Sequence, residues 1–337
     1  MENSTLKMCE RAARRECFLL RAAMRNFGKR GGSAWTLIPV DCARTTFPSG
    51  RCACAEPGRV PCPGPVRRAA LAPTKAGVPM ISIYLTDCGR LLEQDQICPG
   101  AWIHMSAPNE KEIGRVCAQL HVDPDLVRAS LDEEERSRIE QEDGITLILV
   151  DTPVVDNDGH ATYYSTIPFG IILTGENIIT VCLKDVALPR AVTGGQVKNC
   201  STKKQKRLAL QFLYRNSTLF LTLLRQIDKA SNQVENELHK SMQNKELIQM
   251  LGLEKSLVYF STSLKGNEIV LEKLLRMNFV RDYPEDTDLL EDVIIENKQA
   301  IEMSNIYRDI LSGTMDAFAS VISNNLNIVM KLLAAVT

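Results

Sequence analysis

The chain closes on Ser320-Val-Ile-Ser-Asn-Asn-Leu-Asn-Ile-Val-Met-Lys-Leu-Leu-Ala-Ala-Val-Thr337, a segment that turns apolar and stops there, whereas a soluble domain normally ends on polar, frayed residues. From residue 286 to residue 337 there is no proline and a single glycine, Gly313. Apolar residues recur at Leu290, Val293, Ile294, Ile301, Ile306, Ile310, Leu311, Met315, Phe318, Val321, Ile322, Val329, Met330 and Leu333. Steps of three and four predict one unbroken helix. At 1.5 Å per residue it would reach roughly 75 to 80 Å, further than a compact domain of this size can cover with its own core. Such a helix has to pack on partner helices or leave the domain.

Upstream, residues 205–244 predict a long amphipathic helix with Leu208, Leu210, Phe212, Leu213, Leu219, Leu221, Leu224, Ile227, Val234 and Leu238 available to its buried side. Residues 251–277 predict a second helix, which Arg281-Asp-Tyr-Pro284 breaks. Before them, strand and helix signals alternate. Short strands are expected at 81–85 and 101–105, and helices at 109–120 and 123–131 with Asn109 and Asp123 as N-caps. Further strands are expected at 145–155, 162–173 and 178–183. They are separated by the turn signals Asp156-Asn-Asp-Gly159 and Gly175-Glu-Asn177. Strands joined by tight turns are antiparallel, and strands bridged by helices can be parallel. The expected class is therefore α+β: a mixed α/β/α sheet head over residues 80–200, then long antiparallel helices over 201–285 packing on a stalk. The stalk itself is a very long helix, 286–337, which packs on partner helices or leaves the domain.

Charge divides the chain at Met80. Residues 1–79 carry 14 Lys and Arg against 5 Asp and Glu, while the remainder carries 26 against 36. The overall charge of −1 averages two unlike pieces. The first piece also holds 6 of the 11 cysteines and 8 of the 15 prolines, so it is expected to be a disordered or non-native leader. Cys42, Cys52, Cys54 and Cys62 lack the paired C-x-x-C spacing of a zinc site. No aromatic residues interleave its basic ones in the manner of a nucleic-acid arm, and no nucleic-acid partner is expected. The five later cysteines are scattered, as in a reducing compartment.

Catalytic patterns are missing. His104, His121, His160 and His239 fall in different elements, and there is neither a glycine-rich phosphate loop nor G-x-S-x-G. Asp132-Glu-Glu-Glu135 points in several directions at once and reads as surface charge. An enzyme is not expected. Asp282, Glu285, Asp286, Asp288, Glu291, Asp292 and Glu296 crowd the start of the long helix. Singly each favours the positive end of the helix dipole, and together they can concentrate cations.

The tail Tyr307-Arg-Asp-Ile-Leu-Ser-Gly-Thr-Met-Asp316 followed by Ser320 to Leu333, with its N-x-x-M-K-x-L element, resembles the stalk and first membrane segment of CorA-type divalent-metal transporters. Trp102-Ile103, Leu131-Asp132 with Arg136-Ser-Arg-Ile-Glu140, and Ile178-Ile-Thr-Val181 are similar to that family's cytoplasmic domain. The resemblance covers residues 80–337. It implies a homopentamer in a bacterial plasma membrane, with residues 80 to about 320 in the cytoplasm. It also implies Mg2+ as cargo, with Co2+, Ni2+ or Zn2+ as alternatives.

Magnesium dehydrates reluctantly, so a ring of Asn327 amides suits the hydrated ion. Met330 and Leu333 would form an apolar constriction closing by dewetting; away from the family pattern, such residues on an apolar helix ordinarily pack against lipid or another helix. Asp316 stands at the position whose carboxylate helps hold a regulatory cation between subunits, with Asp125, Asp132 or Glu133 as partner, because Ala129 occupies the place of a common acidic partner. The family's Gly-Met-Asn signature and second membrane helix would lie beyond Thr337, and residues 327–337 fall short of the ~20 apolar residues a span needs. By itself the chain is expected to be a fragment unable to conduct. The competing reading is a soluble coiled-coil interaction protein with an α/β head.

Overall fold

The computed structural model describes residues 81–336 apart from 158–161, 198, 242–243 and 281–282, so residues 1–79 with their cysteines, and Asp282, lie outside the described residues. The described strands are β1 (Ile81–Asp87), β2 (Arg90–Gln94), β3 (Trp102–Ser106), β4 (Arg138–Glu142), β5 (Ile145–Asn157), β6 (Thr162–Leu173) and β7 (Ile178–Cys182). They form one sheet in the order β2-β1-β3-β7-β6-β5-β4. β3 and β7 pair parallel, and every other neighbouring pair is antiparallel. The helices are α1 (Glu110–Leu120), α2 (Pro124–Ala129), α3 (Ala187–Thr193), α4 (Gln205–Ser241), α5 (Asn244–Arg276) and α6 (Pro284–Val336). The mixed sheet and the long C-terminal helix are as expected from the sequence.

Three elements went unforeseen: β2, β4 and α3. β2 enters and β4 leaves through two-residue turns whose central residues have positive φ, Cys88 (47°) with Gly89 (76°) and Asp143 (48°) with Gly144 (79°). That is the type I′ geometry matching the twist of paired strands. The Asp143-Gly144 dipeptide was a readable signal for β4. α5 starts at Asn244 rather than near residue 251, because Leu247 and Met250 join a hydrophobic cluster with Phe220, Leu224 and Leu238 of α4. α5 stops where Asn278 adopts φ 50° and the Phe279 amide reaches back to the Leu274 carbonyl at 3.2 Å, a six-to-one closure that satisfies a terminal carbonyl. The expected break follows, with Pro284 as the first residue of α6, where its missing N–H costs nothing.

The sheet has two covered faces. On one, Ile103, Met105, Leu147, Leu149, Ile179 and Val181 pack against Ile113, Val116 and Val127 of α1 and α2. On the other, Trp102, Ile148, Val150, Phe169 and Ile178 pack against Leu208 and Phe212 of α4, Leu271 and Leu274 of α5, and Leu290 and Val293 of α6. The Trp102 ring lies 4.8 Å from Tyr84 and 5.2 Å from Phe212, centroid to centroid. Residue 200 therefore marks no gap in the core. The long helices begin as a layer on the sheet and continue beyond it as a second cluster around Phe220, Leu224, Leu257 and Phe260.

Asn267 of α5 completes the sheet edge. β4 pairs with β5 only as far as Leu149. Beyond that point the Asn267 amide accepts from the Asp151 N–H at 2.8 Å and donates to the Asp151 carbonyl at 2.9 Å. One side chain thus bonds both backbone groups that a longer β4 would have paired.

Candidate functional site

α6 carries all the stalk and ion-path residues expected from the sequence. Its 53 residues correspond to ~80 Å of helix. Through its first two thirds it is held by α4 and α5. Leu290, Asn297, Ser304, Leu311 and Phe318, spaced by seven, are all buried. A seven-residue repeat keeps one seam facing its partners with a left-handed supercoil. The two polar members are bonded: Asn297 Nδ2 donates to the Leu264 carbonyl at 3.0 Å, and Ser304 Oγ donates to the Leu257 carbonyl at 3.0 Å. Both partners lie one heptad apart on α5, so the two bonds set the antiparallel register. The sequence reading passed over both residues because it followed apolar positions only; the spacing of seven was the available signal.

α4 runs the other way, parallel to α6. Arg207 in the first turn of α4 pairs with Asp286 and, at 2.9 Å, with Glu285. The side chains of Arg207 and Asp286 are 15% and 6% exposed, so this pair is largely withdrawn from water. Asp286 and Glu285 are consequently committed to Arg207. Of the remaining acidic residues at this helix start, Asp288, Glu291 and Asp292 are exposed and Glu296 is half-buried.

After Phe318 the environment of α6 changes. Every side chain described from residue 319 to 335 is exposed, including Val321, Ile322, Leu326, Ile328, Val329, Met330 and Leu333. Within α6 an 18-residue window reaches a mean hydropathy of 1.3, and this is the one helix among the described residues long and apolar enough to cross a membrane. Asn327, Met330 and Leu333 stand on it in steps of three. At ~100° per residue each step turns the helix by about 60°, so the three form a slanted ridge across about a third of the circumference.

The expected regulatory carboxylates lie apart. Asp316 is exposed on α6, two residues before buried Phe318. Asp125 binds Arg128 at 2.7 Å. Asp132 accepts from the Glu134 amide at 3.0 Å, and Glu133 is exposed. Among the described residues, no three His, Cys, Asp or Glu side chains converge closely enough to hold a metal. Asp316 and these partners do not make a complete metal site within one chain.

In the head, Thr180 links two rings. Trp102 Nε1 donates to its hydroxyl at 2.8 Å, and His104 Nδ1 lies 3.0 Å from the same oxygen. With Trp102 as donor, the threonine proton is available to Nδ1, an arrangement that suits a neutral imidazole. Burial lowers the His104 pKa from 6.5 to about 4, opposed by Asp185 and the Thr180 backbone.

The described residues thus form an α/β/α head whose longest helix runs on past its partners as an exposed, largely apolar segment. The family model for CorA-like Mg2+ transporter proteins matches residues 100–337, and the chain belongs to this family of ion transporters. It is 27% identical over 244 residues to the cobalt/magnesium transport protein CorA of Methanocaldococcus jannaschii, covering 70% of this chain and 74% of that protein. The complete structure of the CorA magnesium transporter from that organism superimposes with a TM-score of 0.69 at 22% identity, over 78% of this chain and 83% of the other. The ZntB cytoplasmic domain from Vibrio parahaemolyticus superimposes with a TM-score of 0.56 at 12% identity, over 73% of this chain and 97% of that domain. At these identities the two superpositions establish the shared fold.

Proposed function

We propose that this chain is the cytoplasmic and stalk part of a membrane transporter that carries Mg2+, with Co2+ as a second cargo, and that it acts as a transporter subunit rather than an enzyme. The observation that carries this reading is the change along α6: a seam buried by α4 and α5 as far as Phe318, then an exposed apolar stretch from Ala319 onward. A helix that exposes Val321, Ile322, Leu326, Ile328, Val329, Met330 and Leu333 finds partners for them in lipid and in copies of itself. In a homopentamer, five Asn327 side chains meet the hydrated ion, while Met330 and Leu333 form the apolar constriction. Asp316 of one subunit and a carboxylate from its neighbour, among Asp125, Asp132 and Glu133, hold a regulatory Mg2+ that favours the closed ring. Transport and sensing are then linked through occupancy of that site.

Two measurements test this. Protease digestion of the protein across a Mg2+ titration is expected to show rising protection that is lost in Asp316→Ala; identical curves would count against the regulatory site. Mg2+ uptake by cells expressing a complete transporter that contains this chain is expected to fall about tenfold in Asn327→Leu, because an apolar ring offers nothing to a hydrated ion. Unchanged uptake would remove Asn327 from the path.

A further inference from the structure

We propose that a polar layer across α4, α5 and α6 is a hinge at which the stalk tilts against the head. The apolar core of these helices is in two pieces. The piece on the sheet ends at Leu213 of α4, Val270 of α5 and Val293 of α6, and the piece in the stalk begins at Phe220, Leu264 and Ala300. In each gap the buried residues are polar: Asn216 and Ser217 on α4, Asn267 on α5, and Asn297 on α6. These four side chains surround one void, closed by Val150, Leu213 and Leu271, that is too narrow for water. All three helices therefore interrupt their apolar seams at the same level.

Packing at this level is incomplete. Asn216 Oδ1 is buried with no hydrogen-bond partner, although such groups are normally satisfied. Thr152 is fully buried two residues along β5 from Val150, on the same face, and its hydroxyl is likewise unpartnered. The void also denies its lining atoms the dispersion contacts of a filled core. The bonds that do form converge on one strand residue. Asn216 Nδ2 and Asn267 Nδ2 both donate to the Asp151 carbonyl, at 2.7 and 2.9 Å. Asn297 donates to α5 instead, through the Leu264 carbonyl. An anchor shared at one residue is a pivot: α4 and α5 can turn about Asp151 without releasing it, and α6 moves with α5. Interlocked apolar side chains would resist that turn, and few cross this layer. Helix register needs only the Asn297 and Ser304 bonds, so it accounts for neither the void nor the unpartnered Asn216 oxygen. A hinge needs only a few residues to absorb the change. Beyond Asn297, α6 continues to Val336, roughly 60 Å, so a tilt of about 10° carries its exposed apolar end by roughly 10 Å.

Pulsed electron paramagnetic resonance on the full chain in detergent, diluted with unlabelled chain, tests the hinge. Spin-labelled non-natural residues replace Lys111 of α1 and Asp309 of α6, both exposed. A second pair, exposed Thr222 of α4 with Asp309, lies within the stalk and reports the motion of the labels alone. The head-to-stalk distance distribution is expected to be at least about twice as wide as that of the stalk pair. Asn216→Leu puts apolar atoms into the void and removes the unpartnered oxygen, while Asn267 keeps the Asp151 carbonyl bonded. It is expected to bring the two widths together. Equal widths in the unaltered chain overturn the proposal, and that comparison stands even where the variant does not fold. A folded variant that keeps the full head-to-stalk width also overturns it, because the tilt then lies elsewhere. The outcome does not depend on whether the chain transports Mg2+.

Discussion

Gly170, in the middle of β6, is required by a single neighbour. A Cβ there would stand 1.9 Å from Ser130 Oγ and 2.6 Å from Ser130 Cβ, and Ser130 is fully buried at the end of α2. Gly170→Ala is expected to cost ~2 kcal/mol or more by overpacking, read from the denaturation midpoint. Adding Ser130→Gly removes both clashing atoms and should restore most of the loss; no recovery would mean that the strand backbone is the cause. At His104 the consequence is a pH dependence. The unfolded chain binds a proton near the ordinary value of 6.5, while the folded chain binds one only near about 4. Between those values the unfolded state holds more protons, so stability is full above pH 6.5 and falls as the pH drops toward 4. The loss at pH 5 is at most about 2 kcal/mol. His104→Gln should flatten this part of the stability profile, and an unaltered slope would assign it to another group.

Among the elements, the Arg207 pair with Asp286 ties the start of α4 to the start of α6. Breaking a buried pair from one side strands a charge and typically costs 3–5 kcal/mol, roughly, whereas replacing both partners by apolar groups can be nearly neutral. Arg207→Leu alone is therefore expected to destabilise by about 3 kcal/mol, and Arg207→Leu with Asp286→Leu by clearly less. Equal losses in chemical denaturation would show that Arg207 acts through Glu285, 2.9 Å away, or through packing. The register of α6 on α5 rests on a different device, the Asn297 and Ser304 bonds one heptad apart. The long helices themselves were legible, since the period of three and four persists over many turns. The short edge strands were harder to see. Arg90-Leu-Leu-Glu-Gln94 and Arg138-Ile-Glu-Gln-Glu142 bury few side chains and carry little hydrophobic signal.

For the whole molecule, α6 divides into a stalk covered by its own chain and an exposed apolar end. Liposome flotation is expected to carry the full chain to the lipid fraction and leave a version ending at Ala319 behind. Flotation of the shortened version would place membrane attachment elsewhere. The candidate site was legible only in part. Asn327, Met330 and Leu333 were named from a local pattern on one helix, and that helix exists. The commitment of Asp286 to Arg207 was not visible, because their partnership spans 79 residues.

The amino-acid sequence by itself determined what depends on neighbours along the chain: the existence of the long helices, the caps at Asn109 and Asp123, and the apolar run of α6. Family membership was legible in the same local patterns. Only the tertiary structure decided which polar groups are spent on holding the fold and which remain to meet a ligand. Asn267, Asn297 and Arg207 look like surface residues in sequence, yet each answers a backbone group or charge brought to it from a distant segment. The physical reason is that burial of a polar group is tolerable only with a partner, and where the partner is far along the chain no local pattern records it.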